Sequence, residues 1–158
     1  MRKYKLTDET ITVERDGKEV TLHRIEALRD FADVKAGDKG GYIEKESNLS
    51  QDGNCWVYDN AKVYGSAKVY DNAWICGSAK VYGSAKVYGN AGICGSAKVY
   101  GSAKVYGNAG IYGSAKVYGN AGIYGSAKVY GSSKVYGDTV LSKQSSEGQN
   151  KSGLSNVE

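Results

Sequence analysis

Residues 89–113 read GNAGICGSAKVYGSAKVYGNAGIYG, and the spacing within this stretch decides the fold. An aliphatic residue returns at every sixth position, here Ile93, Val99, Val105 and Ile111, and the same beat runs from Val57 to Leu141. Two residues before each sits a small one, usually Ala. Residues two apart on a strand share a face, so Ala and Val point inward while Lys and Tyr point outward. Gly with Ser, Asn or Asp then makes a corner, where Gly and Asn tolerate positive φ. A helix is excluded, because a period of six does not match 3.6 and a Gly in every unit would break it. Short strands joined by two-residue corners, all alike, form a stack of coils and not a row of hairpins. The β-branched Val and the Tyr suit a pleated, half-buried surface.

The phased segment, residues 55–141, resembles the hexapeptide-repeat superfamily, whose motif is an aliphatic residue with a small residue four positions later. The resemblance implies an all-β fold: a left-handed parallel β-helix of triangular section with three hexapeptides per coil. Residues 55–141 then make about five coils, a prism on the order of 24 Å tall at ~4.8 Å per layer. Ahead of it, in residues 1–54, ITVERDGKEVTLHRI alternates around Asp16-Gly17, a type I′ hairpin signal. The irregular stretch that follows reads as a cap over the first coil, because an open coil end is an exposed sheet edge. Residues 142–158 lack apolar phasing and read as a disordered tail. The entry ALRDF…GDKGGYIE…NLS…GNCWVYDNA before the repeats also resembles a phage- and prophage-encoded group of the superfamily, commonly labelled transferases or polymer-forming proteins by analogy of fold.

With eighteen residues to a coil, positions eighteen apart stack. Lys62, Lys80, Lys98, Lys116 and Lys134 form an unbroken ladder on one face, with Tyr64, Tyr82, Tyr100 and Tyr118 beside it. On a second face Lys68, Lys86 and Lys104 give way to Gly122 and Val140. The third carries Trp56, Trp74, Gly92 and Gly110 before Lys128, with Cys76, Cys94 and Tyr112 beside them. That uncharged, flat strip reads as a contact surface, since Gly permits close approach and missing Lys avoids burying charge. Either the N-terminal segment or a second copy covers it. Superfamily resemblance implies parallel trimers, which favours a homo-oligomer with Trp56, Trp74, Cys76, Gly92, Cys94, Gly110 and Tyr112 at the interface. The Lys ladder serves either solubility, its stems lying on Tyr rings, or an anion such as a nucleotide, held by Lys62, Lys80, Lys98 and Lys116 with the tyrosines stacking on bases. The ladder holds no Arg and no base-reading pattern, which argues against sequence-specific DNA recognition.

Charge divides the chain: residues 1–54 hold 10 Lys and Arg against 12 Asp and Glu, while residues 55–141 hold nine Lys against three Asp. No apolar run suits a signal peptide or a membrane span, so the expected compartment is the cytoplasm. Three cysteines at wide spacing do not form a disulfide framework. Cys76 and Cys94 stack within reach of each other, but in-register parallel strands offer poor geometry for a bond. Superfamily acyltransferases use a coil histidine as general base and bind acyl-CoA between subunits. Here the single histidine, His23, lies in the hairpin and no coil position is His or Glu. No metal ligand set and no cofactor motif emerges. The residues therefore favour a non-catalytic protein that self-assembles and binds an anionic ligand. The alternatives are an acyl- or acetyltransferase using His23, and a purely structural spacer or polymer-forming unit.

Overall fold

The inward Ala and Val or Ile of each unit build the core. A computed structural model of the chain describes residues 2–143 and, beyond them, the backbone of Asn150–Lys151 and Ser155–Val157. From Ala61 to Val129 each inward Ala, Val and Ile is at most 1% exposed. The strands are two residues long, such as Lys62–Val63, Lys80–Val81 and Lys98–Val99, and pair in parallel, in register, eighteen residues apart. Each outward amide donates to the next coil: Lys62 N to Ala79 O at 2.9 Å, Tyr64 N to Val81 O at 3.0 Å. Three ladders result, one for each column of the sequence, and the chain is a parallel β-helix.

Corners follow from φ. Gly77 has φ +66, and a Cβ there would lie 2.9 Å from Gly95 O of the next coil. Both conformation and space demand glycine. Asp59 and Asp71 occupy the same corner position at φ 57 and 59. Each offers compensation, because its carboxylate accepts a coil amide: Gly77 N to Asp59 Oδ2 at 3.0 Å, Gly89 N to Asp71 Oδ2 at 3.1 Å.

The stack is longer than the regular repeat. Strand β1 (Tyr4–Arg15) pairs antiparallel with β2 (Lys18–Ala27) through Asp16 and Gly17, at φ 54 and 75 as a type I′ turn requires. Strand β2 pairs antiparallel with β3 (Lys39–Ile43), and β3 runs parallel to Lys62–Val63 with Ile43 opposite Val63. Leu49 lies opposite Val69 in the same sense. Ile43 and Leu49, six residues apart, are thus the inward residues of a further turn, giving about six instead of five. Two extra residues between Leu49 and Val57, around Gly53 at φ 73, put this turn out of phase with the rest. Buried Asn48 locks it: its Oδ1 accepts from Glu44 N and Lys45 N, and its Nδ2 donates to Gly65 O and Ala67 O.

The open end is plugged by Lys3, which is fully buried. Its Nζ lies 2.8 Å from Cys55 O and 3.3 Å from Gly53 O, so the ammonium ties down carbonyls of the out-of-phase stretch. Burial pushes the Lys3 pKa down, and pushes the neighbouring Cys55 thiol up. At the other end, the backbone of Asn150–Lys151 and Ser155–Val157 continues two of the ladders in parallel. Of the tail expected to be disordered, Ser142 still accepts from Ser126 N through its carbonyl at 3.2 Å, and residues 144–149, 152–154 and 158 lie outside the described residues.

Candidate functional site: the three faces of the prism

On the lysine face the ladder forms as the spacing requires, with Lys62, Lys80, Lys98, Lys116 and Lys134 on consecutive rungs. Lys62 has its pKa lowered, first by burial and then by the charge of Lys80. Beside the ladder Tyr64, Tyr82, Tyr100, Tyr118 and Tyr136 stack at 5.0–5.3 Å between ring centroids and within 9° of parallel. Tyr70, Tyr88, Tyr106 and Tyr124 stack likewise on the second face. The stacking alters the reading of the tyrosines as platforms for bases. Each inner ring already has a tyrosine on both faces, so the stack presents an edge of hydroxyls. Burial raises the pKa of Tyr64, Tyr82 and Tyr100. Tyr64 is only 5% exposed, packed with Leu22 and Tyr42 beneath the hairpin. Lys62 itself is half-buried, as are Lys80, Lys98 and Lys116, while Lys134 is exposed.

The glycine face differs more from expectation. Trp56 is 1% exposed, held edge-on by Phe31 at 5.2 Å and Tyr4 at 6.1 Å, so the N-terminal segment of its own chain covers it. Trp74, 36% exposed, lays its indole across Gly92, where any Cβ would collide with the ring. Gly110 makes the same room for the ring of Tyr112. These glycines are floors for aromatic side chains of their own chain. Cys76 and Cys94 form a disulfide with Cα atoms 4.6 Å apart, which corrects the expectation that parallel rungs would not bond. Adjacent rungs bring the two Cα atoms within the ordinary disulfide range. Cys55 is the free, buried thiol among the described residues.

His23 sits half-buried in β2, opposite Ile43 of β3, and its Nδ1 lies 3.1 Å from Thr7 O. The Thr7 carbonyl sits beside a register shift in β1 between Leu6 and Thr10. Next to it Arg24 reaches Glu9, Gly40 O and the Tyr42 hydroxyl, and lies over the Tyr42 ring at 4.3 Å. The structure does not bring His23 onto the lysine ladder's coil rungs; it belongs to the antiparallel extension of that sheet. Among the described residues no three His, Cys, Asp or Glu side chains gather as a metal site would need, and no helix is long and apolar enough to cross a membrane.

A further cleft lies where the glycine face meets the N-terminal segment, with a volume of 430 Å³ and Asp33, Tyr58, Asp59 and Trp74 in its wall. Sequence reading missed it, because Asp33 arrives from outside the repeat. The visible signal was Asp59, which with Asp71 takes a corner position where Gly is the rule.

No protein-family model matches the chain. Over 77 residues it is 47% identical to a protein of Escherichia coli (strain K12) named "Uncharacterized acetyltransferase YdcK". The match takes in 46% of this chain, which spans about a quarter (24%) of that relative's length. Three parallel ladders of hexapeptide coils, together with this similarity, fit a hexapeptide-repeat superfamily.

Proposed function

We propose that this chain serves acetyl transfer, with the basic prism attracting a phosphate-bearing acetyl thioester and His23 accepting the proton of the attacking group. The observation that carries this reading is the 47% identity to a relative named an acetyltransferase. The geometry of His23 supports it. A carbonyl can only accept, so Thr7 O holds the imidazole proton on Nδ1 and leaves the lone pair on Nε2. Such a nitrogen takes the proton from an amine or hydroxyl as that group adds to the thioester carbonyl; the thiolate leaves and is protonated in turn. The lysines of the ladder, from Lys62 to Lys134, supply the positive field for the donor's phosphates.

The test is incubation with acetyl-CoA and a panel of amine and hydroxyl acceptors, following acetylated product by mass spectrometry. Wild type should turn over, and His23→Gln should lose on the order of 10²-fold or more. Equal turnover by the variant would remove His23 from the reaction.

A second reading, non-catalytic binding and assembly, is favoured by the unbroken ladder and by the absence of His and Glu from residues 55–141. A trimer through the glycine face and an anionic ligand such as a nucleotide belong to it. Calorimetric titration with nucleotides and sedimentation velocity separate the two readings. Salt-sensitive binding to an oligomer without turnover supports the second, and turnover supports the first.

A further inference from the structure

We infer that the cleft between the turn at Asp33 and Trp74 is a binding site for an aliphatic di- or polyamine. The inference does not rest on acetyl transfer. The charge of the cleft is the first argument. The coils are basic overall, yet the cleft wall carries two carboxylates, Asp33 and Asp59, and no Lys, Arg or His. The second argument is the aromatic wall. Trp74 has one side of its indole on Gly92 and remains 36% exposed, and Tyr58 lines the same cleft. A carboxylate pair beside indole and phenol rings attracts an alkylammonium by charge and by the ring quadrupole, while the rings cover its methylene chain. Asn54 and Asn72 complete the wall with amide groups that can accept from an ammonium.

The site is built, not incidental. Phe31 and Val34 exchange both backbone hydrogen bonds, at 2.9 and 2.7 Å, closing a two-residue turn at Ala32-Asp33. Ala32 adopts φ 46, a left-handed conformation that alanine rarely holds. Such strain persists where surrounding structure enforces it, and it collects at ligand sites. Here Phe31 anchors the turn from below against Trp56. Asp33 is then fixed by Tyr58, whose hydroxyl donates to Asp33 Oδ1 at 2.8 Å. Asp59 is held at φ 57 with Oδ2 on Gly77 N. Both carboxylates are therefore held in place before any ligand arrives, each with one oxygen engaged and the other without a hydrogen-bond partner among the described residues, which lowers the ordering cost of binding.

The two tryptophans make the test direct, because Trp56 is buried and Trp74 reports on the cleft. Spermidine is titrated into the full chain while tryptophan emission is followed, with calorimetry in parallel. Saturable quenching that weakens with added salt is expected, with n-butanol giving no response. Asp33→Asn with Asp59→Asn keeps both hydrogen-bond acceptors and removes both charges; it should weaken spermidine at least about tenfold. Trp74→Phe should weaken it about threefold or more in calorimetry. Unchanged affinity in the Asn pair overturns the inference, as does saturable binding of a neutral saccharide in preference to spermidine. Acrylamide that fails to quench Trp74 in the free protein also overturns it, since a second copy would then fill the cleft.

Discussion

Gly92 and Gly122 share the local sequence NAGI and replace lysine in otherwise identical units, yet one substitution should act on them very differently. Neither has a positive φ, so a side chain is conformationally acceptable at both. At Gly122 nothing lies within 4 Å of an added Cβ. Gly122→Lys therefore removes the entropic handicap of glycine in a strand, a gain of about 0.5–1 kcal/mol, but sets a new ammonium opposite Lys104 on the neighbouring rung, a repulsion of about the same size, so its net effect should be close to zero. At Gly92 the same Cβ collides with the five-ring and six-ring atoms of Trp74, so the indole must lift off the sheet. Lifting it exposes roughly 80 Å² of apolar surface, about 2 kcal/mol at ~25 cal/mol/Å². Set against the same glycine gain, Gly92→Lys should destabilise by about 1–1.5 kcal/mol. Urea denaturation of the two variants measures the difference, and tryptophan emission of the folded state should move to longer wavelength only for Gly92→Lys. Equal shifts of the same sign, with unchanged emission in both, would refute the placement of Trp74 on Gly92.

Thiol titration should find no reactive cysteine in the folded protein, one on denaturation (Cys55) and three after reduction. Breaking the Cys76–Cys94 bond opens a loop of 18 residues and should cost up to about 3 kcal/mol, read as a lower urea midpoint in reductant. Burial, reinforced by neighbouring rings, raises the pKa of Tyr82 and Tyr100 among others. An acid whose folded pKa is raised contributes stability that is complete below pH ~10 and is lost as pH rises through the folded value. Alkaline titration at 295 nm should therefore run later for the native than for the denatured chain, and overlaid curves would contradict the buried stacks. Asp71→Ala should cost about 2 kcal/mol, from left-handed strain plus the lost Gly89 bond, whereas Asp71→Gly should recover the strain portion; thermal melts distinguish them.

The coils were legible because a six-residue period leaves each inward position no freedom: Val63, Val81 and Val99 must stack if any two do. The additional turn was not. Ile43 and Leu49 keep the six-residue step, but Ser50 to Asn54 inserts two residues before Val57, and a period broken once is invisible as a period. Buried Lys3 could not be read either, since its role depends on carbonyls of Gly53 and Cys55 that only the closed end brings together. The column Trp74–Gly92 was readable as a column. Its meaning was not, because a flat ring over a glycine and a flat surface for a partner share one sequence pattern. Asp33 and Asp59 lie in different segments, so the cleft between them depends on the cap's path and not on the repeat.

The lysine and the tyrosine of each unit are better understood as a compensating pair than as two separate binding groups. Parallel in-register stacking forces identical side chains onto neighbouring rungs ~4.8 Å apart, whatever they are. For Lys80 and Lys98 that means a repulsion of about 0.9 kcal/mol at the dielectric of water, more where the stems are half-buried. For Tyr82 and Tyr100 the same spacing yields an offset stack, observed at 5.0 Å, worth about 0.5–1.5 kcal/mol. On two faces the stack offsets the ladder rung by rung. On the glycine face, where lysine is missing at Gly92 and Gly110, the tie between rungs 76 and 94 is a disulfide instead. The tyrosines thus have a sufficient structural cause and need no ligand to explain them. The lysines keep the faces soluble with their stems on the tyrosine rings, and an anion lying across two rungs would relieve the repulsion that remains. Any ligand of the prism faces should accordingly be selected by its phosphate spacing along the ladder, and not by a base stacked on tyrosine.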